Sequence, residues 1–321
     1  MTQFTFVPEV ENQSLIAGPI MAYLEQEQKT PNPDILTSMT AAFQKTVTRQ
    51  LMQPRDTRAG YESATSYTGS CARKSRLQFD GETGERLLAR PRLKFLMGDI
   101  LELSVIGLAQ LAGVMLRWNN RELWITGRDG VEVVCHPDGL VTVGDQHWNV
   151  EVKSADTKTY DHWVANGGPD DTWGYLTQAS VECAAWRQAG VEVQGTCFVA
   201  VSTGSRQGSI TEWIVPANRE LIEAWHDRRG IARGPEVPDI PFSAAPERSF
   251  LRSKTIDPSW LFHGDPVPRM DKNGSIYGYD VPTGRKIVPM ICSYCTYRST
   301  QCWTTAIQDM DGTKPIWVVP S

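Results

Sequence analysis

The turn at Gly144-Asp145 is the feature that most constrains how this chain folds. Apolar and polar residues alternate on both sides of it, as they do in two strands, and a Gly-X pair suits a two-residue type II′ hairpin turn. In such a hairpin Val143 pairs with Gln146, and counting outward places Asp138 opposite Glu151. Cross-strand partners have Cβ atoms roughly 5 Å apart on one face of the sheet. The turn therefore predicts that two carboxylates lie side by side.

Lys153 adds a positive charge to this pair, because side chains two residues apart in a strand share a face. Two carboxylates and an ammonium group at one place are costly unless a divalent cation lies between them, and Mg²⁺ or Mn²⁺ takes carboxylate oxygens. A metal ion lowers the pKa of a bound water, and a neighbouring lysine orients that water or stabilises developing charge. The alternative is a solvated surface hairpin in which Asp138 is a turn residue after Pro137.

Pro137-Asp138 and Glu151-Val152-Lys153 resemble the signature of the PD-(D/E)XK nucleases, and look especially like its lambda-exonuclease and RecB-like branch. The resemblance implies that Asp138, Glu151 and the carbonyl of Val152 bind the metal ion, and that Lys153 is the catalytic lysine. It also implies an α/β fold, with a restriction-endonuclease-like core built on a mixed central sheet flanked by helices. By motif order the resemblance covers about residues 60–215 and a C-terminal cysteine segment.

The same branch carries a Glu on an upstream helix and a Gln on a downstream helix. Residues 100–116 contain one charge, Glu102, and this pattern indicates a helix buried on most sides. A carboxylate there is rarely buried unless it is paired or bound to metal, although the wet N-terminal end of the helix is an alternative place for it. Gln178 and Tyr175 share one face of a later amphipathic helix, and the resemblance implies that they support the substrate or a metal-bound water.

Four of the seven cysteines form a second constellation. Cys292, Cys295 and Cys302 have the C-x2-C-x6-C spacing of chelating thiolates, and three thiolates need a fourth ligand. Cys71 lies alone in a polar segment upstream. This arrangement is similar to the CRISPR-associated RecB-like exonucleases and the AddB nuclease domain, in which a [4Fe-4S] cluster joins the N- and C-terminal segments. The resemblance assigns these four cysteines to such a cluster, and a structural Zn²⁺ site is the alternative.

The net charge of −5 does not indicate a nucleic-acid-binding protein, but affinity for DNA depends on where basic residues cluster. Basic residues flank the cysteines of both segments, so they converge if the cysteines do. They are Arg73, Lys74, Arg76, Arg285, Lys286 and Arg298. We expect a positive patch that guides DNA to the carboxylates, and the alternative is a scattered set of solvated side chains. Trp163 and Trp173, in a polar stretch, are either aromatic platforms for unpaired bases or core residues.

The expected organisation is an N-terminal helical segment followed by one nuclease domain. The boundaries are 1–60 for the segment, 61–321 for the domain, about 94–229 for its catalytic core, 230–290 for a long excursion and 291–303 for the cysteine segment. Helices are expected near 36–52, 94–114, 172–189 and 217–229, and strands in 116–153, 195–202 and 210–215. The N-terminus lacks a basic-then-apolar signal peptide, which predicts a cytoplasmic, reducing location and no membrane partner.

These features together predict a Mg²⁺- or Mn²⁺-dependent DNA exonuclease acting at DNA ends in recombination, repair or processing, with single-stranded DNA as the favoured substrate. One alternative is a structure- or site-specific endonuclease of the same fold. The other is a DNA-end-binding subunit of a recombination or CRISPR-adaptation complex. The sequence leaves cleavage polarity and oligomeric state open.

Overall fold

The computed structural model describes residues 14–27, 30–52, 62–69, 71–82, 84, 89–117, 121–204, 208–239, 245–253, 255, 265–287, 295, 301–302, 307–311 and 314–319. The chain divides into two compact units. The first consists of Met1–Glu82 with Leu88–Pro238, and the second of Thr83–Leu87 with Asp239–Ser321. The predicted hairpin and both flanking helices belong to the first unit.

The first unit is an α/β fold with a mixed central sheet flanked by helices. Its helices are α1 (Ala17–Glu25), α2 (Pro33–Met52), α3 (Ala72–Phe79), α4 (Ala89–Leu111), α5 (Thr157–Ala165), α6 (Tyr175–Gln188) and α7 (Arg219–Ala232). Its strands are β1 (Leu116–Arg117), β2 (Leu123–Thr126), β3 (Glu132–Cys135), β4 (Gly139–Val143), β5 (Gln146–Ala155), β6 (Val193–Ser202) and β7 (Ile210–Val215). The central sheet has the order β1-β4-β5-β6-β7, and β2 pairs with β3 in a separate ladder.

The mixed character of the central sheet comes from the β5–β6 pair. These two strands are parallel, and α5 and α6 lie in the connection between them, as a parallel crossover requires. The other neighbouring pairs in this sheet are antiparallel. Strand β5 is therefore central, with β4 on one side and β6 on the other.

The hairpin register predicted from the sequence is confirmed. Val143 pairs with Gln146, and the ladder runs outward to Gly139 opposite Val150. Gly144 has φ +59°, the positive value that a tight hairpin turn of this kind needs and that glycine adopts without a Cβ penalty. This register brings Asp138, which directly precedes β4, beside the middle of β5.

Helices lie on both faces of β5. Trp148, Val150 and Val152 belong to a buried apolar cluster that also contains Val105 and Ile106 of α4. The intervening side chains of β5 point to the opposite face, where α6 lies, because successive strand residues alternate. The central strand thus has one face packed by hydrophobic residues and one face lined with polar ones.

The elements predicted in the first unit are found near their expected positions, but three short helices were not predicted. These are α1, α3 and α5. Helix α5 has a recognisable start, since the side chain of Asp156 accepts a hydrogen bond from Thr159 N at 2.9 Å as an N-cap. A polar helix of this length has too few apolar positions to stand out by periodicity.

The second unit contains an antiparallel sheet. Its strands are β8 (Ala245–Leu251), β9 (Val267–Met270), β10 (Ile276–Ile287), β11 (Ile307–Asp311) and β12 (Lys314–Val319), in the order β11-β12-β10-β8 with β9 also paired to β10. Three of these strands lie in the range interpreted from the sequence as an excursion rather than a second domain. Strand β10 carries Pro282, beyond which its register with β8 shifts, and such interruptions hide the alternation typical of strands.

Within the part of the chain that the structure describes, no helix is both long enough and apolar enough to cross a membrane.

Candidate active site

The β4–β5 hairpin holds two carboxylates at one place, out of contact with water. Asp138 Oδ2 accepts a hydrogen bond from the backbone N–H of Val152 at 2.7 Å. This bond ties the side chain of Asp138 to the strand residue that follows Glu151. Asp138 is 7% exposed and Glu151 is 0% exposed. Buried carboxylates are costly unless they are paired or bound to a cation, so their partners define the chemistry of the site.

Lys153 supplies the positive charge. Its Nζ forms an ion pair with Glu151 Oε1 and lies 5.2 Å from the centroid of the Tyr175 ring. Burial by itself lowers the pKa of Lys153, but the carboxylates of Glu151 and Asp138 outweigh burial and raise it. Lys153 is therefore a stable ammonium group, held beside Glu151 by charge.

Glu102 of α4 belongs to the same electrostatic cluster. Burial, together with the charges of Glu151 and Asp99, raises its pKa from 4.5 to about 7, against the opposing effect of Lys153. Burial, followed by the charges of Glu151 and Glu102, also raises the pKa of Asp138 well above its usual range. Three carboxyl groups thus lie near one ammonium group, so Asp138 and Glu102 tend to keep their protons unless a further cation is present.

The chemistry of this group fits Mg²⁺ or Mn²⁺, since hard oxygen donors and surplus negative charge are what these ions bind. Among the described residues, however, no three His, Cys, Asp or Glu side chains are already gathered into a metal-binding group. At Glu151 both carboxylate oxygens already have partners, because Oε1 is paired with Lys153 and Oε2 accepts from Gln178. The lysine occupies the position of the countercharge, and binding of an ion through Glu151 requires this ion pair to open.

Gln178 of α6 connects the site to a buried polar network. Its Nε2 donates to Glu151 Oε2 at 3.1 Å and to Glu182 Oε1 at 2.9 Å. Glu182 Oε2 accepts from Asn149 Nδ2 at 2.9 Å, and Asn149 Oδ1 accepts from Trp186 Nε1 at 3.0 Å. Burial and the charge of Glu151 raise the pKa of Glu182, against the lowering effect of the bonds from Gln178 and Asn149.

The sequence reasoning missed Glu182 and Asn149, although both carried a signal. Glu182 lies four residues after Gln178, on the same face of the helix. Asn149 lies two residues before Glu151, on the same face of the strand. Polar residues four apart on a helix, or two apart on a strand, lie on one face of that element. When two such faces pack against each other, they indicate a shared buried network.

Tyr175 lies at the edge of the site in an aromatic cluster. Its ring is 6.0 Å from that of Trp163 in a T-shaped arrangement, and Trp163 in turn contacts Phe198. Burial raises the pKa of the Tyr175 hydroxyl. Trp163 is only 2% exposed, so it is a core residue, and the idea that it stacks on nucleic-acid bases is wrong.

The candidate cluster cysteines lie in both units. Cys71 is half-buried and directly precedes α3 in the first unit, while Cys295 and Cys302, also half-buried, belong to the second. Cys292 lies outside the described residues. The four-cysteine cluster therefore stays a prediction.

The predicted DNA-binding residues Arg73 and Arg76 have structural partners. Arg73 Nη1 donates to Pro238 O at 2.8 Å, and Arg76 donates to Gly234 O while pairing with Asp80. Both side chains thus fasten α3 to the segment after α7. Lys74 between them is exposed. Of the other predicted residues, Arg285 and Lys286 lie in β10, the first half-buried and the second exposed, and Arg298 lies outside the described residues.

Comparisons with known proteins add little to this geometry. No protein-family model matches the chain, and no curated protein matches it. The solved structure of SSO0001 aligns with 63% of this chain and 88% of its own, with a TM-score of 0.37 and 11% sequence identity. A TM-score this low does not establish a shared fold. The geometry of the candidate site is therefore the basis for a functional hypothesis.

Proposed function

We propose that this protein is a metal-dependent DNA exonuclease with a PD-(D/E)XK core of the RecB-like type. The observation that carries the proposal is the buried group in which Lys153 pairs with Glu151 while Asp138 is bonded to the backbone between them. Burial of two acids and a lysine offers nothing to stability that apolar residues would not supply better. Such a group is typical of a site built for hydrolysis of a charged substrate.

In this proposal Asp138, Glu151 and Glu102, with the carbonyl of Val152, hold Mg²⁺ or Mn²⁺. A bound ion would lower the pKa of its water and neutralise phosphate charge. Lys153 remains protonated, so it donates hydrogen bonds that orient the attacking water and the phosphate oxygens. Gln178 holds Glu151 by its N–H, and Tyr175 closes the site beside Lys153.

The proposal includes a [4Fe-4S] cluster bound by Cys71, Cys292, Cys295 and Cys302, with Zn²⁺ as the alternative. The spacing of these cysteines is its support. We expect Cys295→Ala to give a colourless protein of lower stability, measured by iron and zinc content and by thermal melting. A coloured variant with unchanged iron would remove the cluster from the proposal, and stoichiometric zinc in the wild type would replace iron with the alternative.

Cleavage of end-labelled linear DNA and of covalently closed circles tests the activity. Single- and double-stranded forms are incubated with Mg²⁺, Mn²⁺ or EDTA and with wild type or Lys153→Met, which keeps the volume of the side chain. Lys158→Met is the matched control, since Lys158 is an exposed lysine close by in sequence. Loss of linear DNA alone, abolished by Lys153→Met only, is the expected result. Cut circles would indicate the endonuclease, and absent cleavage would indicate a DNA-end-binding subunit. Cleavage that persists in EDTA and in Lys153→Met would overturn the metal-dependent mechanism.

A further inference from the structure

In the buried polar network between α6 and β5, the order of hydrogen-bond donors and acceptors is fixed, starting at Trp186. An indole N–H is a donor and never an acceptor. Trp186 is 0% exposed and donates to Asn149 Oδ1, so the amide of Asn149 must keep its oxygen toward the indole. Its Nδ2 then faces Glu182 Oε2 and Thr196 Oγ1, at 2.9 Å and 3.2 Å. Asn149 is itself 0% exposed, so bulk solvent cannot replace these bonds if the amide turns over.

At Glu182 the order of donors and acceptors changes, because both of its neighbours in the network donate to it. It receives N–H donors on both oxygens, from Asn149 on Oε2 and from Gln178 on Oε1. A carboxylate is the side chain that accepts at both ends, because an amide of the same shape has one acceptor and one donor. Glu182 therefore requires the nitrogen of Gln178, and not its oxygen, on the side of the two acids.

Gln178 transmits this requirement to the candidate active site. The same Nε2 that bonds Glu182 donates its second hydrogen to Glu151 Oε2. If the amide turned over, its oxygen would face two carboxylates. The direction set at Trp186 thus fixes the carboxylate of Glu151, whose Oε1 is left for the ion pair with Lys153.

We infer that Glu182 is a positioning residue, which holds the amide of Gln178 so that Glu151 keeps Oε1 for Lys153 or for a metal ion that displaces it. The inference rests on the proposed function for the identity of the cation, but its geometry comes from the buried hydrogen bonds. Groups that orient metal ligands in this way are typically worth about 10- to 100-fold in metal affinity or activity.

The inference predicts an unusual order of two substitutions. Glu182→Gln keeps the shape but places an N–H against one of two donors. The deeply buried Asn149 cannot yield, so the half-buried Gln178 turns over and presents its oxygen to Glu151. Glu182→Met has a similar length and forces no such turn. We expect Glu182→Gln to weaken Mn²⁺ binding and to lower kcat by about 10- to 100-fold, with a smaller loss for Glu182→Met. A merely structural role predicts the opposite order, with the amide better tolerated.

A double-substitution cycle separates action through Gln178 from a direct effect of the Glu182 charge. Gln178→Met removes the N–H donated to Glu151, and because Gln178 is half-buried this variant tests the inference even if a change at Glu182 impairs folding. We expect Gln178→Met to match the loss of Glu182→Gln, and the double variant to be no worse than either. Additive losses would overturn the inference, since they would mean that Glu182 acts independently.

Mn²⁺ affinity by isothermal titration calorimetry and kcat by DNA cleavage are measured on variants whose thermal melting shows that they are folded. A wild type that binds Mn²⁺ in a manner sensitive to residue 182, yet cleaves no DNA, would refute the proposed function and leave the positioning role. A wild type that cleaves DNA, with Mn²⁺ affinity and kcat unchanged in Glu182→Gln, would refute the positioning role and leave the nuclease.

Discussion

The two faces of β5 are equally buried and chemically opposite. Val150 and Glu151 are adjacent, and each is 0% exposed, but Val150 packs in the apolar cluster with α4 while Glu151 bonds to Lys153 and to Gln178 of α6. Burying a valine side chain contributes about 1.5–3 kcal/mol. Burying a charge costs free energy that its partner only partly returns. One face of the strand therefore stabilises the fold, and the other is retained at the expense of stability.

This difference predicts which substitutions should have effects that depend on pH and on metal concentration. Side chains on the apolar face carry no charge, so their substitution should act on stability alone and equally at any pH or metal concentration. The polar face has internal partners for most of its groups but more carboxyl groups than its ammonium group can neutralise, and the pKa values of Asp138 and Glu102 are raised. Substitutions there should change activity, and their effect on stability should depend on metal and on pH.

The largest effect is expected for Lys153→Met. Loss of the ammonium group should lower cleavage by about 10²- to 10³-fold, the range typical of a lost donor that stabilises developing charge. Breaking a buried ion pair leaves Glu151 uncompensated, which should cost about 3 kcal/mol in EDTA. Mg²⁺ supplies a new countercharge, so it should restore the melting temperature but not the cleavage. Cleavage retained in Mg²⁺, or a melting temperature insensitive to the ion, would contradict the contrast between the faces.

Val150→Ala tests the apolar face. The lost methyl groups and the cavity left behind should cost about 2 kcal/mol of unfolding free energy. Because Val150 faces α4 and not α6, the loss should be the same in EDTA and in Mg²⁺, at pH 5 and at pH 8, with kcat unchanged. Urea unfolding under the four conditions measures it. A stability loss that varies with Mg²⁺ would show that the two faces are coupled.

Glu102→Gln is expected to raise stability in the absence of metal. The pKa of Glu102 is raised from 4.5 to about 7, so its contribution to stability is complete below pH 4.5 and is lost as the pH rises through about 7. Glutamine imitates the protonated acid at every pH. In EDTA the variant should therefore match the wild type near pH 4.5 and exceed it by about 1 kcal/mol at pH 8, a figure reduced for partial solvation.

Urea unfolding at both pH values measures this difference, and Glu220→Gln, at an exposed site on α7, is the control. With saturating Mg²⁺ the order at pH 8 should reverse, because the wild type then gains the binding free energy of the ion. A variant less stable than the wild type in EDTA at pH 8 would mean that the site carries no excess of negative charge.

The parts of this picture that were predictable from the sequence are those fixed by local geometry. The Gly144-Asp145 turn sets the register of its hairpin, and strand periodicity then brings Asp138 to Glu151 without further information. The helices carrying Glu102 and Gln178 were found by their apolar pattern. Their approach to the hairpin could not be predicted from the residues, since nothing local fixes how a helix packs on a sheet.

The residue roles that could not be predicted from the sequence depend on partners far away along the chain. The role of Glu182 requires Asn149 and Trp186, which are brought to it by the packing of α6 on β5. The sequence can suggest the i,i+4 pair of Arg76 with Asp80, but it gives no sign of the second partner, the backbone carbonyl of Gly234, 158 residues away. A carbonyl leaves no trace in a sequence, so cations that fasten the fold cannot be separated there from cations that face a ligand.

Two cations of helix α3 allow a structural role to be distinguished from a ligand-binding role by measurement. Their substitutions are expected to have the smallest effects of those predicted. Lys74 is exposed, whereas Arg76 bonds to Gly234 O and Asp80. If the patch contacts DNA, Lys74→Ala should weaken binding a few-fold and lower the slope of log affinity against log salt by about 1, because one phosphate contact is lost. Arg76→Ala should leave the slope unchanged and cost about 1 kcal/mol of stability, as expected for lost internal hydrogen bonds.

Fluorescence anisotropy across a salt series, with urea unfolding in parallel, distinguishes the two variants. A reduced slope for Arg76→Ala would mean that this cation, like Lys153 in the proposed function, serves a ligand in spite of its internal partners.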